Sequence, residues 1–471
     1  MARHTTFKFC LDPTVEQQKA LARHAGAARF AFNHCLRTVK DGLTRRGDGT
    51  RAVVPWTGFD LINAFNAWKK TADAGRVFTV DPHATAVVTV TGLVWRGQVC
   101  QQVFEEAAVD CGKALKAWSD SRNGNRRGRR VNFPRFKKKA AVVPSFRLRN
   151  KFRKGMQPAI RIGDAGRLRS VTVPGIGTIR VHDDTRRLRR MIAKERAKIL
   201  FVTIGRRAGR WWISLNVEAA DVHSAHRHSL RESADDATWV GVDRGLSSFV
   251  VAAAADGSEL ARITNAPKPL AAGMRKQRRL AKAVSRKHRG SNHHRFAAAR
   301  LGRHHHHVAA VRSHFLHQVS NTLVKTHDRL VIEDLNVAGM LTNHRLARVI
   351  TDASWAEFAR RLRYKQMWRG GVIATADRWY PSSRICSGCG TRTQNLALAT
   401  RTYHCGACGL SIDRDLNAAT NLARWAKRTP DPQAGGRATN ARRQARSGRH
   451  RCDGETGLID AGTDVYAAPA T

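Results

Sequence analysis

The sequence predicts a multidomain α/β protein, on three observations. Its 471 residues exceed one ordinary core. Helix-period apolar stripes fill the first quarter, short glycine- and proline-broken strands follow, and strands then alternate with helices to about residue 428.

FKFCLDPT opens as a strand, and Leu21, Ala25, Ala28, Phe32, Leu36 and Val39 then fall at helical spacing. Val99, Val103, Ala107, Cys111, Ala114 and Trp118 form a second such stripe, and together they suggest a helical unit across about residues 15 to 120. SVTVPGIGTIRV and KILFVTIGRRAGRWWISLNVE read as antiparallel strands, with Gly209-Arg210 at a hairpin turn. SAHRHSLRESADDAT marks a boundary. Beyond it, TWVGVDRGLSSFVV predicts two strands around a turn, Val308 to Leu323 a long helix, RLVIEDLN a strand, WAEFARRLRYKQMW a helix, GVIATADRWY a strand and LNAATNLARWA a last helix. The Gly/Arg-rich tail past Thr429 has no apolar pattern and reads as disordered.

Charge narrows the partner. The 84 Lys+Arg against 36 Asp+Glu give +48, a self-repulsion that a polyanion would relieve. Residues 122–139 carry nine Lys/Arg and no acid, interleaved with Phe133 and Phe136, and residues 275–300 carry ten and no acid. Either run can be a plain solvated face; cations that hold phosphates beside rings that stack on bases favour nucleic acid. No apolar run reaches the roughly 18 residues of a membrane span and the start MARHTTFKFC lacks a signal core, so a cytoplasmic protein without a membrane partner is expected.

Cys386, Cys389, Cys405 and Cys408 form C-x2-C-x15-C-x2-C, the spacing of a closed tetrahedral zinc site, structural because no coordination position stays open. Cys10, Cys35, Cys100, Cys111 and Cys452 are scattered. Asp243 follows Val240 and Val242, Glu333 ends Leu330-Val331-Ile332, and Asp415 lies between the cysteines and an apolar helix. Each alone reads as a strand-end surface residue. Carboxylates on apolar strands are costly without a partner, and paired divalent ions recruit several of them, as phosphodiester hydrolysis requires. His304 to His307 disperse around a helix and are expected on its basic surface rather than on a metal.

The order GVDRG, VIEDLN, CSGCG…CGACG and DRDLNAATNL, with RFAFNHCL, NFPRFKKK and RWYPSSRICSGCG, resembles the TnpB proteins of insertion sequences and their relatives, the miniature type V CRISPR effectors. The resemblance covers most of residues 1 to 428. It implies a split RNase H-like (RuvC) nuclease domain at 236–380 with a zinc ribbon at 381–411 and a last motif at 412–428. It also implies a small β-barrel unit from 1–14 and 142–230, a helical recognition unit at 15–141, and the tail 429–471. It implies a catalytic triad of Asp243, Glu333 and Asp415 holding Mg²⁺ or Mn²⁺, and a guide RNA from the transposon end that pairs with target double-stranded DNA. Asp413 and Arg414 stay open, Arg414 as a phosphate contact or a loop brace. A transposase proper performing strand transfer, a miniature CRISPR effector and a cleavage-deficient guided regulator are the rival readings.

Overall fold

The computed structural model describes residues 3–429, apart from 50–52, 81–82, 84–85, 127, 140, 153–154, 165, 220–225, 229–237, 395 and 398–399. The chain folds as two compact units, one of residues 1–227 and 267–319, the other of 228–266 and 320 onward. The expected tail and most of the polar boundary at 224–238 lie outside the described residues.

In the first unit, β1 (Arg3–Asp12) leads to Thr14, which caps α1 (Val15–Gly47). The Thr14 hydroxyl accepts from the Gln17 N–H at 3.3 Å, and the Gln17 side chain accepts from the Thr14 N–H at 3.1 Å. This reciprocal box satisfies two donors that a helix start otherwise leaves unpaired. The stripe from Leu21 to Val39 is buried, against α2 (Gly58–Trp68) and the Val103, Ala107, Cys111 face of α3 (Gln101–Arg122). Between α2 and α3 stands a hairpin, β2 (Arg76–Val80) with β3 (Ala86–Thr91), where a helical stretch was expected. RVFTV and AVVTVT are rich in β-branched residues, and that local preference prevails.

β4 (Ser145–Arg149), β5 (Arg161–Ile162), β6 (Ser170–Val173), β7 (Gly177–Val181), β8 (Ala197–Arg207) and β9 (Arg210–Ala219) join β1 in an antiparallel sheet ordered β4-β8-β9-β1-β7-β6-β5. A short helix, α4 (Arg186–Ala193), precedes β8. The β8–β9 turn is Ala208-Gly209, one residue ahead of the expected pair, with both φ angles positive (50° and 80°) as a two-residue hairpin loop demands.

Residues 275–300 lie on α5 (Pro269–Ser285) and the start of α6 (Asn292–Thr326), which crosses the boundary between the units. Residues 267–319 therefore belong to the first unit although the chain on either side belongs to the second. The histidine run explains part of this; His307 is exposed as expected, while His304 departs from the surface expectation. His304 is only 6% exposed, lying against Gly273 of α5, and the His306 ring sits 4.9 Å from that of Trp212.

The second unit is built on a five-stranded sheet ordered β12-β11-β10-β13-β14. β10 (Val240–Asp243), β11 (Val250–Ala254) and β12 (Glu259–Ile263) form an antiparallel meander; β13 (Arg329–Glu333) runs parallel to β10, and β14 (Val372–Ala376) parallel to β13. Between β13 and β14 come α7 (Val337–Met340), α8 (Ala347–Ala353) and α9 (Trp355–Arg369). The hairpin β15 (Thr402–His404) and β16 (Ser411–Asp413) then feeds α10 (Arg414–Arg428). α10 buries Ala419, Leu422 and Ala426 against Trp239, Val331, Ala374 and the Val251–Ala253 strand.

Gly241 makes that contact possible. A Cβ there would overlap the Ala419 carbonyl oxygen and come within 2.8 Å of the Ala423 nitrogen, so helix backbone rests directly on strand backbone. Gly241→Ala must push the two apart, and we expect it to cost about 3 kcal/mol, the upper end of what overpacking a core costs. Gly26→Ala, on α1 with nothing within 4 Å of its Cβ, is expected to be neutral or slightly stabilising. Thermal unfolding of the two variants beside wild type checks both.

Candidate functional site

β10 and β13 pair in parallel with Val242 opposite Ile332, so Asp243 and Glu333 follow at the same carboxyl edge of neighbouring strands. Such edges are where open α/β sheets place their ligands. Asp415 arrives from the other direction, as the second residue of α10, close enough that a Cβ on Gly245 would lie 3.6 Å from its Oδ2. The contact at Gly241 sets the distance. Three acids spaced across 172 residues of sequence thus converge from two strands and one helix.

Electrostatics registers the convergence. Burial, then the charges of Glu333 and Asp415, raises the Asp243 carboxyl well above its usual value. Burial and the nearby Asp413 raise Asp415. Arg244, 6% exposed, is lowered to about 10 by burial, against the pull of Glu333 and Asp243. Its guanidinium donates to two backbone carbonyls, Glu333 O at 2.5 Å and Trp355 O at 3.4 Å, and so ties β10 to β13 and to the start of α9.

The neighbouring acids are otherwise engaged. Asp334 accepts from Arg378 at 2.6 Å, while Glu333 accepts from the Ser382 hydroxyl, so the two adjacent acids serve different partners. Asp413 caps α10, accepting from the Leu416 N–H at 2.9 Å and from Arg262 at 3.0 Å. Arg414 donates to Ala397 O at 2.9 Å and Thr400 O at 3.4 Å and braces that loop.

Among the described residues, the four cysteines are the one set of three or more potential metal ligands whose donor atoms all lie within 4.8 Å of one another. Cys386 and Cys408 sulfurs are 3.6 Å apart, as are those of Cys389 and Cys405, close to the roughly 3.8 Å edge of a tetrahedron with 2.3 Å metal–sulfur bonds. The Thr391 hydroxyl and N–H lower Cys389 to about 6. Cys408, though lowered by the Leu410 N–H, is raised to about 12 by the three sulfurs around it. Four thiolates at this spacing coexist only around a cation, so the set fits a bound metal ion. The three carboxylates are not gathered within that 4.8 Å, and their hard oxygens are of the kind that suits divalent ions.

Sequence reasoning missed four supporting residues: Arg244, Ser382, Asn417 and Asn421. Asn417 and Asn421 sit one turn apart on the buried face of α10. Both donate to Ile385 O, at 2.7 and 2.6 Å; Asn421 also donates to Ser382 O at 2.8 Å, and Asn417 accepts from the Ser387 N–H at 2.9 Å. Two asparagines four apart on an apolar helix face, in LNAATNL, were the available signal.

The basic loop at 122–139 is fastened to its own unit. Asn33 exchanges two hydrogen bonds with the Lys137 backbone, at 2.7 and 3.1 Å. Phe133 meets Trp118 edge-on at 5.0 Å, and Lys40 sits 4.9 Å over Phe136. Both rings brace the loop, while Arg135, Lys138 and Lys139 stay exposed.

Three family descriptions match: "Helix-turn-helix domain" over residues 1–48, "Probable transposase" over 215–344 and "Cas12f1-like, TNB domain" over 355–422. A Mycobacterium tuberculosis (strain H37Rv) protein named "Putative RNA-guided DNA endonuclease Rv2885c" is 35% identical over 426 residues, 89% of this chain and 86% of the relative. The chain belongs to the TnpB family. InsQ of Escherichia coli K12, named in the same words, is 25% identical over 90% of this chain and 92% of its own, and the mimivirus "TnpB-like protein L79" is 32% identical over 112 residues. Among solved structures, the Cas12f1 chain of a complex with sgRNA and target DNA aligns with a TM-score of 0.45 at 12% identity, over 90% of this chain and 99% of that one. In this TnpB chain the segment matched as a helix-turn-helix is one strand followed by a single 33-residue helix. The transposase match contains Asp243 and Glu333, and the TNB match contains the cysteines and Asp415.

The raised Asp243 predicts a pH dependence for the protein in chelator. With its folded value above that of the unfolded chain, the native state binds the extra proton, so stability falls as pH rises from the ordinary carboxylate range through the raised value. Asp243→Asn removes this penalty. In EDTA it is expected to melt above wild type at pH 7.5 and to lose that advantage toward pH 4, as scanning fluorimetry across pH would register.

Proposed function

We propose that this chain is an RNA-guided DNA endonuclease that hydrolyses phosphodiester bonds at the Asp243, Glu333, Asp415 cluster. The convergence of these acids from β10, β13 and α10 carries the reading, and the names of the relatives support it. The sheet order β12-β11-β10-β13-β14, three antiparallel strands followed by two parallel ones with α10 across them, supports an RNase H-like domain of the RuvC kind. Within it, 236–380 supplies the first two acids, 381–411 the zinc ribbon and 412–428 the last acid. Residues 1–14 and 142–230 would be the β-barrel unit and 15–141 the recognition unit.

The carboxylates would hold Mg²⁺ or Mn²⁺, which when bound supplies Lewis acidity to the attacking water and the leaving oxygen. Arg244 keeps the two strand ends in register through its carbonyl contacts, and the α10 N-terminus turns its positive dipole end toward the cluster. Sequence choice rests on pairing between guide and target, and the exposed cations of 122–139 and 275–300 contact the sugar-phosphate backbone.

Protein purified with RNA transcribed from its own locus should cut matching double-stranded DNA in Mg²⁺. Asp243→Ala, Glu333→Ala and Asp415→Ala should each lower the rate at least about 10³-fold while RNA binding persists. An alanine variant that cuts like wild type refutes the site; strand-transfer products from transposon ends would mark a transposase instead. For the four cysteines we propose structural zinc. Metal analysis should find one zinc per chain, absent in Cys405→Ser, together with a lower melting temperature.

A further inference from the structure

We infer that Ser382 is a positioning residue for Glu333, and that through it the cysteine ribbon sets the geometry of the carboxylate cluster. Ser382 is 3% exposed and lies four residues before Cys386, at the entrance to the ribbon. Its hydroxyl donates to Glu333 Oε1, and its carbonyl accepts from Asn421 of α10 at 2.8 Å. Asn421 in turn grips Ile385, next to Cys386, and its own carbonyl accepts from the Tyr380 hydroxyl at 3.1 Å. One serine therefore joins an acid at the end of β13, the helix that carries Asp415 and the segment entering the cysteine centre.

The chemistry of this bond is specific. A hydroxyl donated to one carboxylate oxygen fixes the rotation of the group and leaves the other oxygen as the ligand atom. Without it, Glu333 is free to turn about its last side-chain torsion, which is broad and roughly two-fold, and each binding event must order it again. Outer hydrogen-bond partners of this kind typically change metal affinity 10- to 100-fold when removed. The neighbouring acid does not share the task, since Asp334 is held by Arg378. Ser382 acts only through Glu333.

The inference rests on the proposed divalent site, so its test separates the two. Mn²⁺ binding to the guide-free protein is measured by electron paramagnetic resonance for wild type, Ser382→Ala and Ser382→Thr, with zinc content and melting temperature alongside. Wild type should bind Mn²⁺, and Asp243→Ala should not; if neither binds, the divalent site itself fails. Ser382→Ala should weaken Mn²⁺ binding about 10-fold or more and raise the Mg²⁺ concentration for half-maximal cutting by a similar factor, with zinc content unchanged. Ser382→Thr, which keeps the hydroxyl, should restore most of both. Wild-type Mn²⁺ affinity in a folded Ser382→Ala overturns the inference and leaves the site standing. If Ser382→Ala does not fold, Ser382→Thr and Ser382→Cys decide it: the inference requires threonine to bind Mn²⁺ more tightly than cysteine, a weak donor, and equal affinities overturn it.

Discussion

The second unit depends on one contact, the backbone of α10 lying on the backbone of β10 at Gly241. Helices normally stand off a sheet by the depth of two side chains. Here one side chain is missing, and the small Ala419 and Ala423 occupy the facing positions. The gain is positional. α10 enters close enough for its first turn to meet the ends of β10 and β13, and its apolar face closes the core around Trp239, Val331 and Ala374.

That geometry concentrates negative charge in a protein that is otherwise strongly positive. Burial beside two other carboxyls raises Asp243 well above its usual value, because the charged form is disfavoured there. Surrounding residues confine the strain to the three central acids. Asp334 and Asp413 are each paired with an arginine, and Arg244, held on two carbonyls, offsets only part of the charge of Asp243 and Glu333. The centre therefore keeps an unbalanced negative charge that a divalent cation would relieve.

The cysteine ribbon is joined to the same framework from the outside. Its second CxxC turn is the loop between β15 and β16, and β16 ends at Asp413, the cap of α10. Its first turn is held by Asn417 and Asn421 of that helix. A metal ion on the four sulfurs would therefore hold both CxxC turns against the helix that delivers Asp415.

The sequence by itself determined the parts whose signals are local: the α1 and α3 stripes, the strands that end in Asp243 and Glu333, and the sulfur spacing. Local signals work there because periodicity and ligand spacing are properties of one segment. The β2–β3 hairpin was equally local but lay among helices, and the β8–β9 turn was off by one residue. Only the tertiary structure decided what depends on segments far apart: which acid an arginine occupies, that Arg414 braces a loop, that Phe133 packs edge-on to Trp118, and that His304 is buried against Gly273. Gly241 is the clearest case. In the sequence it is one glycine in an apolar strand, and only the helix that arrives 178 residues later, at Ala419, gives it a role.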